Sequence, residues 1–309
     1  MPRVIPTTLT LRIISVNPRR AFMSPQVLAF ITAICYAAAL VASRRGLRYS
    51  TPDTVTWVSI LVQNVSLWSA VFVTGGIPQV SWVAVGIFCI VGTFQMGVRL
   101  LAYTGVLKIG ASRSSSLQSI SPLISATIAI TVLKEPASTL IMAGTLLVVC
   151  GIVLVSWKAE RELPSFRWWH LLLPIGAACL TGMNHPLRRY AFSLSNEPLF
   201  FAAFMGLVSL IGFLVYRSVS PQKQRLAWSA GARWPFLWTG IFETLSIVFI
   251  MTSLSLGRVV VVAPIAASYP VWALIGAKLF LRDVEKITAK TVVGILSVVA
   301  GTVAIHLGR

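Results

Sequence analysis

Glu243 is the residue with the clearest chemical potential in this chain. Among the eight acidic residues it alone lies well inside an apolar run, in Gly240-Ile241-Phe242-Glu243-Thr244. A charge at the centre of a bilayer costs at least ~2.5 kcal/mol on insertion scales, so such a carboxylate must face a cavity or a partner. Two readings follow: it titrates or binds a cationic group, or it forms a structural ion pair. Arg99 occupies an equivalent place in an earlier apolar run. Aligning Gly110 with Gly257 sets Met96 opposite Glu243 and Arg99 one helical turn away. The two charges then either grip the ends of a zwitterionic solute or pair with each other across the molecule.

A polar stripe supplies the second set of candidates. Ser114, Gln118, Ser121 and Ser125 recur at spacings of four, three and four, which places them on one face of a helix. They form a pocket wall that contacts substrate, or they hydrogen-bond neighbouring helices and their own backbone, as small residues do in membranes. Gln118 is too large for close packing and favours the wall. Pro122 and Pro270 each remove a backbone hydrogen bond and should loosen or bend their helices. Paired interruptions in corresponding spans point to a binding site, which adds Tyr269, beside the second proline, to the candidates. Pro264 offers a further bend. His185, in Asn184-His185-Pro186, reads as an interfacial histidine, with proton coupling as the sharper alternative. Lys278 should snorkel to the headgroups. Gln63 and Asn64 read as glue between helices.

What is missing narrows the chemistry. There is no GxxxxGK[ST] phosphate loop, so the chain itself is not an ATP-driven pump. No HExxH, paired intramembrane aspartates or Cys/His cluster offers a metal site. Cys35, Cys89, Cys150 and Cys179 lie singly inside apolar runs and read as buried small hydrophobes. The expectation is no metal, no cofactor and no enzymatic activity.

Such residues need elements that hold them in lipid. Of 309 residues, 56% are hydrophobic and 11% charged, with a mean hydropathy of +0.83. A water-soluble surface needs about 25% charged residues, so the solvent here is a bilayer. The net charge of +18 does not indicate nucleic acid, because Lys and Arg sit in short clusters between apolar runs where they anchor helix ends. Trp157, Trp168, Trp169, Trp234 and Trp238 gather near run ends as an aromatic belt. A spanning helix takes about 20 apolar residues. Runs of that kind occur at 25–43, 55–74, 80–103, 114–133, 138–157, 169–187, 198–217, 235–255, 259–281 and 287–307. The fold class is therefore an all-α membrane protein with about ten transmembrane helices.

The runs repeat. Ser121-Pro122-Leu123, ending at Leu133-Lys134-Glu135, returns as Tyr269-Pro270-Val271, ending at Leu281-Arg282-Asp283. Each is followed by a span with two glycines, Gly144/Gly151 and Gly294/Gly301. Cys35 followed by Arg44-Arg45 matches Cys179 followed by Arg188-Arg189, and both arginine pairs are expected to end their helices. The organisation is a basic lead at 1–24, a first five-helix repeat at 25–157 and a second at 168–307. An odd number of spans per copy inverts the second copy in the membrane, the architecture of many secondary transporters. The glycine pairs are flat packing faces that join either the two halves or two protomers of a homodimer.

Leu101-Ala102-Tyr103 through Gly110, Ser119-Ile120-Ser121-Pro122-Leu123, Lys134-Glu135-Pro136 and the Gly144/Gly151 helix form one half of a pattern. Ser253-Leu254-Ser255-Leu256-Gly257, Ser268-Tyr269-Pro270 and Arg282-Asp283 with the Gly294/Gly301 helix form the other. Together they resemble the drug/metabolite transporter superfamily in its EamA-type ten-helix branch, over nearly the whole chain from residue 25. The resemblance implies a ten-helix basket in the cell (inner or plasma) membrane. It implies export of amino acids, related metabolites or toxic compounds, with the third, fourth, eighth and ninth helices lining the pocket. It also implies cytoplasmic termini, whereas the distribution of Lys and Arg among the loops would place the termini outside. On this reading Arg99, Gln118, Ser121, Ser125, Glu243 and Tyr269 contact the solute, which moves by alternating access, driven by protons through Glu243 or by its own gradient. The alternative is a membrane-embedded binding or scaffold protein that carries no flux.

Overall fold

The structure, a computed structural model, describes residues 23–109, 114, 117–156, 167–220, 225–280 and 289–308. The lead at 1–22, Gly110, Trp157 and the charged loop 282–286 lie outside the described residues, as does the side chain of Lys278. The described residues are all helical or connecting. The first three spans are Pro25–Gly46, Pro52–Thr74 and Trp82–Ile109. The fourth is described at Ser121–Thr131, and the fifth is Thr139–Ser156. After a short 3-10 turn, Trp168–Leu171, come Leu172–Leu194, Pro198–Val219 and Ala230–Leu256. The ninth span is split into Val259–Ala266 and Tyr269–Phe280, and Ala289–Leu307 is the tenth. Seven helices among the described residues are long and apolar enough to cross a membrane. This is an all-α, multi-pass membrane protein.

Local chemistry sets where the helices start. Three of them open on a proline, Pro25, Pro52 and Pro198, whose missing N–H would be unbonded at that position anyway. Ser24 and Thr51 accept hydrogen bonds from the N–H groups of Val27 and Thr54 and so cap the first two. Exposed Trp82, Trp168, Trp228 and Trp234 stand at or near helix ends, where indole rings suit the headgroup region.

The neighbours of each span show the inverted repeat directly. The first span packs along the eighth and the sixth along the third; the second lies against the seventh, and the fifth against the tenth. Exchanging each span with its counterpart five places on maps this set of contacts onto itself. Along the first and eighth spans, Thr239, Ser246 and Ser253 donate their hydroxyls to the carbonyls of Ala39, Thr32 and Pro25, at 3.5, 3.2 and 2.6 Å. The residue numbers rise on one helix as they fall on the other, so the pair is antiparallel. Its small side chains allow the close approach.

The two glycine faces meet inside the chain. A Cβ on Gly144 would lie 2.7 Å from the Gly301 carbonyl oxygen, and one on Gly151 would lie 2.6 Å from that of Gly294. Both placements are tighter than any real Cβ contact, so the fifth and tenth spans touch backbone to backbone. Of the two partners considered for these faces, the structure supplies the other half of the same chain.

Two further expectations are corrected. The sixth span does not stop near residue 187; it runs on to Leu194 and carries Arg188 and Arg189 within it. It can do so because other spans surround those guanidiniums and hydrogen-bond them. Cys89 and Cys150 are exposed rather than buried, while Cys35 and Cys179 are half-buried. A small apolar thiol is as stable against lipid as in a protein core, so apolar surroundings alone do not decide which way it points.

Candidate functional site

Glu243 stands midway along the eighth span, Ala230–Leu256, and Arg99 on the third, Trp82–Ile109. Nη2 of Arg99 approaches Oε2 of Glu243 at 3.4 Å, with 13% and 16% of the two side chains exposed. The contact joins the two halves at the middle of the eighth span. It is a single-point contact and longer than the 2.7–2.9 Å of a strong charge-assisted hydrogen bond. Among the described residues each side chain has this one polar contact, which leaves room for a second partner on either charge.

The polar stripe divides. Gln118 donates from Nε2 to the hydroxyl of Ser114 at 3.1 Å and to its carbonyl at 3.3 Å, while Ser114 is fully buried. Ser125 donates to the carbonyl of Gly182 in the sixth span at 2.9 Å. Gly182 has no side chain because a Cβ would sit 2.6 Å from Ile124. Ser121 is half-buried and opens the second half of the fourth span. Among the described residues, no hydrogen bond or ion pair joins Gln118, Ser121, Ser125 or Tyr269 to Arg99 or Glu243. Asn64 donates to the carbonyls of Ile60 at 2.9 Å and Gly206 at 3.1 Å, tying the second span to the seventh.

Both proline positions are helix breaks. The chain turns at Ser119–Ile120 and at Ala267–Ser268, and a new helix begins at Ser121 and at Tyr269. A proline has no N–H to bond back four residues, so Pro122 and Pro270 stand in the first turn of a new helix, where that donor is not needed. Ser268 is 2% exposed, and its buried hydroxyl has no partner. The Tyr269 ring meets Tyr36 of the first span edge-on, with centroids 4.7 Å apart. The ninth span starts under the control of the first half. The N–H groups of Val259 and Val260 donate to the two carboxylate oxygens of Glu135 at 3.0 and 3.1 Å, a negative charge on a helix N-terminus. Lys134, in left-handed backbone with φ 55°, turns the chain so that Glu135 can do this.

Arg188 is the polar group that the sequence reading placed at a helix end. It is 5% exposed, and its Nη2 reaches Oε1 of Gln95 at 3.1 Å and Sδ of Met205 at 3.3 Å. Arg189 instead donates to the carbonyls of Leu254 and Ser255 at 3.1 and 2.9 Å, closing the C-terminal end of the eighth span. One signal was available: the run Tyr190-Ala191-Phe192 after the arginines is apolar enough to continue a span. Two shallow apolar hollows of about 240 and 140 Å³ are present elsewhere; neither is lined by Arg99, Glu243 or Arg188. No group of metal-ligating side chains occurs among the described residues.

The EamA-like transporter family matches residues 23–157 and again 167–307. The chain belongs to the EamA-like transporter family. The double match falls on the two halves related by the contact pattern above, and it makes the protein a membrane transporter of the drug/metabolite transporter superfamily. In fold, 29 solved chains match it. One, described only as a crystal structure of a protein, has a TM-score of 0.73 at 13% identity and covers 92% of this chain and 96% of its own. At that identity the likeness speaks for the fold alone. No curated protein matches the sequence.

Proposed function

We propose that this EamA-like transporter is a secondary carrier that exports amino acids or related small metabolites across the cell's inner or plasma membrane. The solute binds between the two halves, and the halves rock around it. One observation carries this reading: a carboxylate and a guanidinium, one from each half, meet through a single contact that a solute can divide. Separating them in the membrane is costly unless something replaces each partner. A zwitterion does so, its ammonium on Glu243 and its carboxylate on Arg99. A proton on Glu243 is the other way to release the pair, and it gives a route for coupling export to a proton gradient. Gln118, Ser121, Ser125 and Tyr269 belong to the two interrupted spans flanking this point and form the walls that exchange hydrogen bonds as the halves move. The helix breaks at Pro122 and Pro270 leave backbone groups free to join them.

Purified protein in liposomes preloaded with mixed amino acids and related metabolites tests this, with and without an imposed pH gradient. The expected result is selective efflux, accelerated by the gradient, with the gradient dependence lost in Glu243→Gln. Efflux indifferent to both would make the protein a facilitator and reduce Glu243 to a structural role. No efflux of any solute from folded protein would sink the carrier reading in favour of a binding or scaffold role.

A further inference from the structure

Among the described spans, one deeply buried cation is left without a compensating partner. Arg99 has Glu243, and Arg189 is spent on two helix-end carbonyls. Arg188 is within its helix and 5% exposed, and among the described residues it has no carboxylate partner. Among the described residues its hydrogen-bond partners are the neutral amide oxygen of Gln95 and the thioether of Met205, both on Nη2. The Nε donor is buried with no partner. A guanidinium presents five N–H donors in a rigid fork made for two-point recognition of oxyanions, and here most of that fork is unused.

The neighbourhood is unsatisfied in the same way. Oδ1 of Asn184, one turn before Arg188 on the same helix, is buried without a partner, and so is Nδ1 of His185. Asn184 is 2% exposed. By rotating, its amide turns an N–H donor toward the space its oxygen now faces. Three unpaired polar atoms on one turn of helix, around an uncompensated cation inside a membrane, are costly for folding alone. The free Nε–H of Arg188 and the Asn184 amide, which can turn its own N–H inward, are donors that an anion would meet.

We propose that Arg188, with Gln95 and Asn184, recognises a carboxylate or comparable oxyanion of the transported solute. This inference rests on the carrier reading, because it assigns that carrier's solute its charge. Gln95 and Arg99 are four residues apart on the third span, about 6 Å along its axis. A solute anchored by an anion at Arg188 therefore presents its remaining groups to the Arg99–Glu243 pair. A dicarboxylic amino acid with its side-chain carboxylate on Arg188 directs its α-carboxylate and ammonium toward Arg99 and Glu243 and so engages both sites at once.

The test uses the full chain in nanodiscs of phosphatidylcholine, so that no anionic lipid competes. Thermal unfolding is followed with benzoate, L-glutamate or inorganic phosphate, and with uncharged benzamide as the control. At least one anion should raise the unfolding temperature while benzamide does not. Arg188→Gln should weaken that anion by about ten- to a hundredfold, the loss of charge-assisted hydrogen bonds. Arg188→Lys should recover part of it. Gln95→Glu guards against misfolding: it supplies Arg188 with an internal carboxylate, so the variant should be more heat-stable than the parent and indifferent to anions. If no anion stabilises the parent, or if Gln95→Glu still responds as the parent does, the proposal is overturned. Liposome flux separates it from the reading beneath. Anion stabilisation lost in the variants, with no flux of any solute, keeps the site and removes the carrier. Flux of neutral solutes with no anion response keeps the carrier and removes the site.

Discussion

Two arginine pairs occupy matching places in the two halves. Arg44-Arg45 follows Cys35, and Arg188-Arg189 follows Cys179 at the same interval. Their physical situations differ in every respect. The first span stops at Gly46, directly after Arg45, and both side chains are exposed. There they add positive charge to a helix C-terminus and reach the headgroups. The sixth span continues to Leu194, which carries its pair into the interior between the third, seventh and eighth spans. The same dipeptide is an anchor in one half and an interior polar group in the other. Depth, and what stands opposite, sets the cost and the use of an arginine in lipid. A duplicated sequence can thus keep its residues while one copy is drawn into the protein interior.

The comparison breaks hardest where a deep cation loses its partner. Glu243→Ala leaves Arg99 uncompensated and should destabilise the fold by about 3–5 kcal/mol, read by thermal unfolding in detergent. A charge swap, Arg99→Glu with Glu243→Arg, sharpens this result. Most of that loss should return, while efflux stays lost if the pair contacts solute; recovered efflux would show that the two residues only pair. Arg189→Ala strands the carbonyls of Leu254 and Ser255 and should cost about 1–3 kcal/mol in the same assay. Arg44→Gln and Arg45→Gln should stay within about 0.5 kcal/mol of the parent and leave efflux unchanged. An effect at Arg44 or Arg45 as large as at Arg189 would erase the distinction between anchor and interior.

The run lengths, the repeated order and the proline breaks were legible because they rest on local chemistry: hydropathy over a bilayer's thickness and a missing N–H. The meeting of Arg99 with Glu243 was legible because the repeat itself supplied the alignment. Direction was not. In a membrane helix both the lipid-facing and the protein-facing sides are apolar, so the amphipathic signal that orients a helix in water is weak. That is why Cys89 and Cys150 point outward and why Ser125 spends its hydroxyl on Gly182. The arginines of the sixth span were misplaced for a related reason. A charge pair normally marks a span's end, and only the partners Gln95, Leu254 and Ser255, distant in sequence, reveal that this one does not.

Where the fifth and tenth spans cross, Gly144, Gly151, Gly294 and Gly301 bring peptide against peptide with no side chain between them. Val148, Val155, Val298 and Ile305 flank the contact, and between the peptides themselves no side chain is left to change rotamer. The two halves are fastened there as the leaves of a book are at its spine.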